Sequence, residues 1–379
     1  MKAYRNFSTF IFLSLVLLLL AAPPVGALEY KIVTTVALPS DYAYGSTSRI
    51  LPRINRAGQV VWLEHRPEDY PPSDPTIGNH MAVYLYSDGS VNKIAGPENG
   101  PYRRWEDNWI GPSINSSGVI VWEGMSGVSP NLLYNIFRYS NGSYQSIVAG
   151  SSGPDYYWCG YPQISNTGQV VYHVKTPNLD RNIFSYAPST QITTDSAPVI
   201  NTRAAVNNSG QIAYQKWDNS GPWFSIYLYA NGAHTCIAAG SIVGSETTWN
   251  EQPQINDRGQ IVWMQSIWSE ITSQPTINVC LYSAGQITTL ASYYPGLDAW
   301  PRINNRGEVV WKNPDGQIVL YSSGKLYTLP YMTGTVPDIN DSGTIAWISS
   351  EYPDSYLYLM LASPVGGSVA PILKSLLLD

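Results

Sequence analysis

A short pattern of apolar and polar positions recurs seven times along the chain. Each copy has a branched apolar residue, Asn or Ser, two variable residues, Gly, and an apolar run that ends in Trp or Tyr. The copies start at Ile54, Ile114, Ile164, Val206, Ile255, Ile303 and Ile339. Their glycines are 60, 50, 42, 49, 48 and 36 residues apart, a spacing typical of the blades of a β-propeller.

Each copy predicts a β-hairpin. Asn favours the first position of a type I turn, and Gly favours the fourth, where a left-handed backbone returns the chain to the sheet. The run after each Gly, such as residues 59–62, is apolar on both alternating faces, which indicates a strand covered on both sides. A second hairpin follows, with Gly three residues after a Tyr at Tyr86, Tyr139, Tyr229, Tyr282 and Tyr321. Two hairpins in tandem make a four-stranded antiparallel sheet.

The two ends of the chain predict how the array closes. The seventh repeat supplies three strands, and residues 31–38 resemble the fourth strand of the other repeats. We therefore predict an all-β fold, a seven-bladed β-propeller with four antiparallel strands per blade and 28 strands in total. The N-terminal strand closes this ring by completing blade seven. A pair of β-sandwiches is the alternative, and seven near-identical hairpins without a break in composition argue against it.

The first 27 residues predict a signal peptide for export. Lys2 and Arg5 precede an apolar run over residues 10–20, and residues 25–27 suit a cleavage site. The run is short for a membrane span, and no second run of spanning length follows, so no transmembrane segment is expected. The mature chain would begin near Leu28 and act in the periplasm, outside the cell or at the cell surface. Residues 28–362 would form one propeller domain, and residues 363–379 a short C-terminal tail. The protein is expected to be a monomer.

Charge and cysteine content narrow the choice of partners and compartment. Removal of the signal peptide leaves 19 basic against 27 acidic side chains, a net charge of −8. This balance argues against nucleic acid and anionic lipid as partners. In an oxidising compartment, Cys159, Cys236 and Cys280 allow one intrachain bridge at most, and three unpaired thiols are the alternative.

The phrase Asn-x-x-Gly before Trp or Tyr, as in Asn55, Gly58 and Trp62, resembles the tandem repeats of exported bacterial proteins of propeller type. These proteins are related in shape to TolB-like and WD-repeat propellers. The resemblance covers essentially the whole mature chain and implies the fold. It leaves activity open, because the motif specifies a hairpin rather than a reaction. The sialidase Asp box has Asp at its turn and a different spacing, so no sialidase activity is expected.

The blade pattern also predicts where a ligand binds. The tight turns all lie on one face of the ring, and the long connections, where binding residues concentrate, lie on the other. These connections are rich in aromatic and acidic residues, which suit sugar rings and protein interfaces alike. Packing of the aromatic rings against their own loops is the alternative. The candidate ligand-binding residues are Trp105, Trp109, Tyr157, Trp158, Trp249 and Trp300.

The sequence contains no common catalytic motif. Gly-x-Ser-x-Gly, His-Glu-x-x-His and a glycine-rich phosphate loop are all missing from it. His65 and His80 share a loop, but their spacing matches no metal site, and neither a metal nor a cofactor is expected. We predict a non-catalytic exported binding or scaffold propeller that recognises carbohydrate or protein through its aromatic, loop-rich face. The alternative is a polysaccharide hydrolase or lyase that uses acidic residues on that face: Asp107, Asp155, Glu246 and Asp298.

Overall fold

The computed structural model describes residues 30–38, 51–64, 80–96, 103–104, 111–126, 133–151, 157–178, 180–218, 224–295, 299–351 and 356–365. Every regular element in these ranges is a β-strand, which confirms the all-β prediction. The expected signal peptide, residues 1–27, and most of the expected tail, residues 363–379, lie outside the described ranges.

Thirty strands run through the described residues. The first ten are β1 (Tyr30–Leu38), β2 (Arg53–Ile54), β3 (Val60–Glu64), β4 (His80–Ser87), β5 (Ser90–Ala95), β6 (Arg103–Arg104), β7 (Ser113–Ile114), β8 (Ile120–Ser126), β9 (Leu133–Ser140) and β10 (Ser143–Val148). The next ten are β11 (Trp158–Ile164), β12 (Val170–Lys175), β13 (Arg181–Tyr186), β14 (Thr190–Gln191), β15 (Ile200–Val206), β16 (Ile212–Trp217), β17 (Ser225–Ala230), β18 (Ala233–Ala238), β19 (Ser241–Val243) and β20 (Glu246–Ile255). The last ten are β21 (Ile261–Ser269), β22 (Gln274–Ser283), β23 (Gln286–Tyr293), β24 (Arg302–Ile303), β25 (Val309–Lys312), β26 (Gln317–Ser322), β27 (Lys325–Thr333), β28 (Asp338–Ile339), β29 (Ile345–Glu351) and β30 (Tyr356–Pro364).

Hydrogen bonds gather these strands into six sheets. Five sheets have four or five strands, the size of one blade: β1 with β28–β30, β2–β6, β7–β10, β19–β23 and β24–β27. The sixth is a continuous sheet of eight strands, β11–β18. The prediction of seven separate four-stranded blades is therefore wrong, because the described residues form five separate sheets of blade size. The short strands β6 and β19 were not expected either.

The eight-stranded sheet arises where the third repeat departs from the pattern. Its second turn lacks Gly, and the outer strand β14 that follows is only two residues long and pairs with part of β13. One parallel bridge, from Arg181 to Ile200, joins β13 to β15. Asp195 anchors this crossing, because its carboxylate pairs with the Lys216 ammonium at 2.9 Å and accepts a hydrogen bond from Asn201 at 3.0 Å.

The chain closes through its first described strand. β1 runs antiparallel to β30, with Tyr30 opposite Pro364, so it completes the sheet of the seventh repeat as the sequence predicts. The first and seventh repeats are also joined at the inner edge. There the Ile54 N–H donates to the Asp338 carboxylate at 2.9 Å.

An Asn side chain holds the first turn in six of the seven repeats, and Asn256 illustrates how. Its Oδ1 accepts the N–H groups of Arg258 at 3.1 Å and Gln260 at 3.0 Å. Its Nδ2 donates to the Gln260 side chain at 2.8 Å and to the Asn304 carbonyl of the next repeat at 3.0 Å. Gly259 closes the turn with φ of 72°, in the left-handed region that glycine adopts without strain.

These amides link the turns of neighbouring repeats into what we call the turn ring. Each Nδ2 donates to the main-chain carbonyl of the next turn, in the pairs Asn55–Asn115, Asn115–Ser165, Asn207–Asn256, Asn256–Asn304, Asn304–Asn340 and Asn340–Asn55. The step from Ser165 to Asn207 lacks such a bond, because Ser has no amide to donate. All seven turns therefore lie around one axis, and the fold is a closed β-propeller.

The strand after each turn is buried on both faces. Val60, Val61 and Trp62 are each 0% exposed, and the Trp62 ring stacks on Tyr84 of the neighbouring strand at 5.9 Å. The same aromatic position is buried in the other repeats, at Trp122, Tyr172, Tyr214, Trp263, Trp311 and Trp347. The aromatic residues of the repeat therefore pack the core and are not offered to a ligand.

Candidate binding site at the axis

Seven inner strands surround the axis. β2, β7, β11, β15, β20, β24 and β28 each contact the next, and β28 contacts β2. Each strand ends at the turn ring, and we call that face of the propeller the turn face. The opposite face, where each strand begins, is called the loop face after the long connections of the sequence. The space between the inner strands is called the channel.

Arginine and glutamine side chains line the channel at two levels. The first level lies two residues before the Asn or Ser that starts each turn, and it contains Arg53, Gln163, Gln254 and Arg302. The second level lies four residues before that Asn or Ser, and it contains Gly111, Tyr161, Arg203 and Gln252. The space that they enclose has a volume of about 30 Å³, which is room for roughly two water molecules. Three guanidinium groups and three carboxamides thus meet in a small volume.

A bulge in the inner strands places three of these residues. The pairing register shifts between Gly160 and Gln163 in β11, and equivalent shifts occur in β15 and β20. Within the shifts, Tyr161, Arg203 and Gln252 have φ values of 58°, 51° and 60°, which residues other than glycine rarely adopt. A bulge re-aims a side chain out of the strand alternation, and here the re-aimed side chains line the channel. Backbone strain of this kind clusters at functional sites.

The channel carries an excess of buried positive charge. Arg53 is 8% and Arg302 is 4% exposed. Burial lowers the pKa of Arg302 well below its usual value, and the charge of Arg53 lowers it further, whereas Asp338 raises it. Burial likewise lowers the pKa of Arg53 against the opposing effect of Asp338. The Asp338 carboxylate therefore stabilises the charged form of two guanidinium groups that repel each other.

Two donors in the channel lack an acceptor from the described part of the protein. They are Nε of Arg53 and Nε2 of Gln252. The Gln252 backbone is itself fixed, because its N–H donates to Oε1 of Gln215 in the preceding repeat at 3.0 Å. An unsatisfied buried donor costs about 1–3 kcal/mol, so both groups are suited to an acceptor that enters the channel.

A buried histidine lies behind the channel wall. His173 is 0% exposed, and its Nδ1 is 2.9 Å from Oγ1 of Thr202. Its ring centroid is 4.9 Å from that of Tyr161 and 5.1 Å from that of Trp158. Its Nε2 has no hydrogen-bond partner among the residues that the structure describes.

Acidification is expected to destabilise the protein through His173. Burial lowers the pKa of His173 well below its usual value of 6.5, and the charges of Arg181, Arg203 and Lys175 lower it further. Below pH 6.5 the unfolded chain therefore takes up a proton that the folded chain refuses. Stability is full above pH 6.5 and falls by up to about 1.4 kcal/mol per pH unit as the pH drops below it. Urea unfolding at pH 7 and pH 5 measures this loss.

The substitution His173→Gln should flatten this part of the pH dependence, because the unfolded chain then loses the site that takes up the proton. Equal slopes in the wild type and His173→Gln would show that another group causes the acid sensitivity.

The predicted ligand-binding residues differ in their surroundings. Trp105 and Trp109 lie outside the described residues. Tyr157 is 36% exposed at the loop-facing start of β11. The half-buried Trp158 donates from Nε1 to the Glu123 carboxylate at 2.8 Å, so it is tied to the preceding repeat.

Two further predicted residues come from the fifth and sixth repeats. Trp249 is half-buried in the loop-facing part of β20. Trp300 is 4% exposed and packs in an apolar cluster with Val262 and Met264, which leaves it little surface for a ligand. Of the predicted acidic residues, Glu246 is exposed, and the others lie outside the described ranges: Asp107, Asp155 and Asp298.

The sheet β19–β23 presents exposed apolar side chains at its loop-facing end. These are Ile242, Val243, Trp268, Ile271 and Tyr294, with exposures of 62%, 71%, 36%, 82% and 59%. They lie in or beside the ends of β19, β21 and β23 and in the turn between β21 and β22. This group is called the apolar tip.

Sequence reasoning missed the arginines of the channel. Arg53 and Arg302 occupy the position two before the turn Asn, and Arg203 occupies the position four before it. Alignment of the seven repeats contains the signal for Arg53 and Arg302, because the position two before the turn residue is polar in six of the seven repeats. The position of Arg203 gives no such signal, because apolar or aromatic residues occupy it in most other repeats.

The three cysteines are unpaired, with Cys159 and Cys280 buried and Cys236 exposed. Burial, and then the charge of Glu123, raises the pKa of Cys159 to about 12, which keeps this thiol protonated and unreactive. Within the described ranges no group of three or more His, Cys, Asp or Glu residues could hold a metal ion. The same ranges hold no helix of the length and apolar character needed to cross a membrane.

Comparison with known proteins supports the fold. The chain is similar to an oligogalacturonate lyase from Vibrio parahaemolyticus, with a TM-score of 0.50 and 8% identity over 88% of this chain and 98% of that one. It is also similar to an oligogalacturonate lyase in complex with manganese, with a TM-score of 0.48 and 10% identity over 89% of this chain and 97% of that one. A prolyl endopeptidase gives a TM-score of 0.47 and 9% identity over 83% of this chain and 46% of that one, so the chain spans less than half of that enzyme's length.

At 8% identity, the likeness to the Vibrio parahaemolyticus lyase supports the fold and says nothing about activity. No protein-family model matches the chain, and no curated protein matches it. The resemblance to TolB-like and WD-repeat propellers therefore stays a prediction, and the shape of the chain is that of a β-propeller.

Proposed function

We propose that this protein is a binding propeller whose ligand, a carbohydrate or a protein, docks on the loop face. The apolar tip carries this proposal, because Ile271 and Val243 are 82% and 71% exposed. A folded chain gains stability by burying such residues, and exposed apolar groups that cluster on a surface mark interaction sites. Trp268 and Tyr157, each 36% exposed, add aromatic rings that suit a sugar face or a protein contact.

We also propose that the protein is exported after removal of residues 1–27 and acts as a monomer. The basic start, the apolar run and the small residues of the N-terminus support export. Export is tested by N-terminal sequencing of the protein recovered from the periplasmic, extracellular or cell-surface fraction of expressing cells. A start near Leu28 is expected, and a retained Met1 would contradict export by cleavage.

The loop face is tested by a screen of glycans, polysaccharides and extracellular proteins against the chain from residue 28 to 379. For any ligand found, Tyr157→Ala and Trp268→Ala should weaken binding about tenfold each, because partly exposed aromatic residues dominate such interfaces. Each loss then corresponds to roughly 1.4 kcal/mol. Titration calorimetry measures the affinity, and thermal unfolding checks that the variants remain folded.

Leu326 provides the matched control, since it is 50% exposed but begins β27 on the turn face. Leu326→Ala should bind as the wild type does. If both aromatic variants keep full affinity for every ligand found, the ligand does not dock on the loop face.

A polysaccharide lyase or hydrolase is the second candidate. The observation in its favour is the fold that the chain shares with the oligogalacturonate lyase from Vibrio parahaemolyticus. Product analysis on every polysaccharide that binds separates the candidates. Shortened or unsaturated sugars would establish an enzyme, and binding with unchanged polymer would support the binding propeller.

A further inference from the structure

We propose that the channel is a binding site for a single carboxylate group, held by the guanidinium groups of Arg53, Arg203 and Arg302. The site lies below the loop face and is separate from the apolar tip. The inference rests on the proposed function only for the source of the carboxylate, which is either a free small acid or an acidic residue of the docked ligand.

Charge is the first argument. The channel lining contains three arginines and no carboxylate in the described residues. Asp338 is close enough to raise the pKa of both Arg53 and Arg302, and one of its oxygens already accepts the Ile54 N–H at 2.9 Å. A single carboxylate shared by two buried guanidinium groups leaves positive charge that is not fully offset, which is unfavourable in a buried space, so this charge favours an anion in the channel.

Donor geometry is the second argument. Nε of Arg53 and Nε2 of Gln252 are buried and have no acceptor from the described chain, and both residues line the same space. The backbone of Gln252 is held in its unusual conformation by the bond to Gln215. Two unsatisfied donors that line one space are suited to an acceptor with two oxygens.

Size is the third argument and selects among anions. A volume of about 30 Å³ accommodates roughly two water-sized atoms. The two oxygens of a planar carboxylate fill such a space, and guanidinium groups bind them in a bidentate manner. A tetrahedral phosphate or sulfate brings four oxygens and needs more room. The small volume therefore favours the planar end of an acid over a phosphate.

Acetate is the probe for this site. Sodium acetate replaces sodium chloride at constant ionic strength, and the thermal unfolding midpoint of the full chain is recorded at pH 7.5. A saturable rise of about 2 °C or more is expected in the wild type, because a ligand that binds only the folded state stabilises it. Calorimetric titration of acetate supplies the affinity independently. A midpoint that acetate does not raise above its value in chloride would overturn the proposal.

Arg302→Met is the decisive variant, since it removes one buried charge and keeps most of the apolar volume. It should weaken acetate binding at least tenfold. The matched control is Arg258→Met, because Arg258 is exposed on the turn face and should leave acetate binding unchanged. If Arg302→Met does not fold, Gln252→Met replaces it with the same expectation. Undiminished acetate binding in the folded channel variant would overturn the site.

Competition separates the two sources of the carboxylate and separates this inference from the proposed function. If acetate competes with an acidic ligand from the screen, the carboxylate belongs to that ligand. If acetate binds without competition, the occupant is a free small acid. Acetate binding by a protein that takes no ligand on its loop face would support the channel site and contradict the proposed function. Loop-face binding without any acetate effect would support the proposed function and contradict the channel site.

Discussion

The substitution Asn256→Ala should lower the free energy of unfolding by about 3 kcal/mol. Asn256 is 3% exposed, and its side chain makes four hydrogen bonds, three within its own turn and one to the Asn304 carbonyl of the next repeat. Alanine replaces none of them, and it leaves buried backbone groups unsatisfied at the turn ring. Urea unfolding followed by tryptophan fluorescence measures the loss.

Two variants control for this effect. Asn92 is exposed on the outer strand β5, so Asn92→Ala should change stability by less than about 0.5 kcal/mol. Ser165→Asn is the converse change, because it restores the missing amide and should stabilise by about 1 kcal/mol through a bond to the Asn207 carbonyl. A small effect of Asn256→Ala, similar to that of Asn92→Ala, would mean that the turn ring does not hold the propeller together.

The substitution Asp338→Asn should also cost about 3 kcal/mol, because it removes the carboxylate that offsets two buried guanidinium groups. Asn keeps an oxygen that can accept the Ile54 N–H, so the change isolates the charge. Arg53 and Arg302 then repel each other without the opposing effect of the Asp338 charge. Urea unfolding at constant salt measures the loss.

A double substitution tests the cause. Asp338→Asn together with Arg302→Met leaves one guanidinium group instead of two, and the double variant should be more stable than Asp338→Asn alone. Such non-additivity is the sign of direct coupling between neighbouring charges. Strictly additive losses would show that Asp338 acts through its hydrogen bond and not through its charge.

The sequence predicts the local structure of the fold well, because turn chemistry is local. Asn256 and Gly259 take up the roles that the repeat assigns to them, and the N-terminal strand pairs with the last strand. The number of separate sheets could not be predicted in the same way. It depends on one bridge, from Arg181 to Ile200, and on a network around Asp195 that no repeat pattern encodes.

The candidate site shows a sharper limit. Trp300 belongs to the expected rim in sequence but is buried in an apolar cluster. Its φ of 43° is positive, as are those of Tyr161 and Gln252 at the same position of their repeats. Whether a residue faces the axis depends on the bulges of the inner strands, and bulges are invisible to an alternation count. Arg203 was missed for the same reason, because it lies within a bulge. Arg53 and Arg302 lie in regularly paired strands, so their position in the repeat could have been found by alignment of the seven copies.

The closing pair of strands imposes an order of events on folding. β1 pairs with β30, so β1 lacks this partner until the residues of β30 have been made. Until then β1 has an unpaired edge, and such edges join foreign strands readily. Contacts between residues so far apart in sequence form slowly. The sheet of the seventh repeat is therefore complete only when β30 is available to β1, and until then the unpaired edge of β1 can associate with strands of other chains.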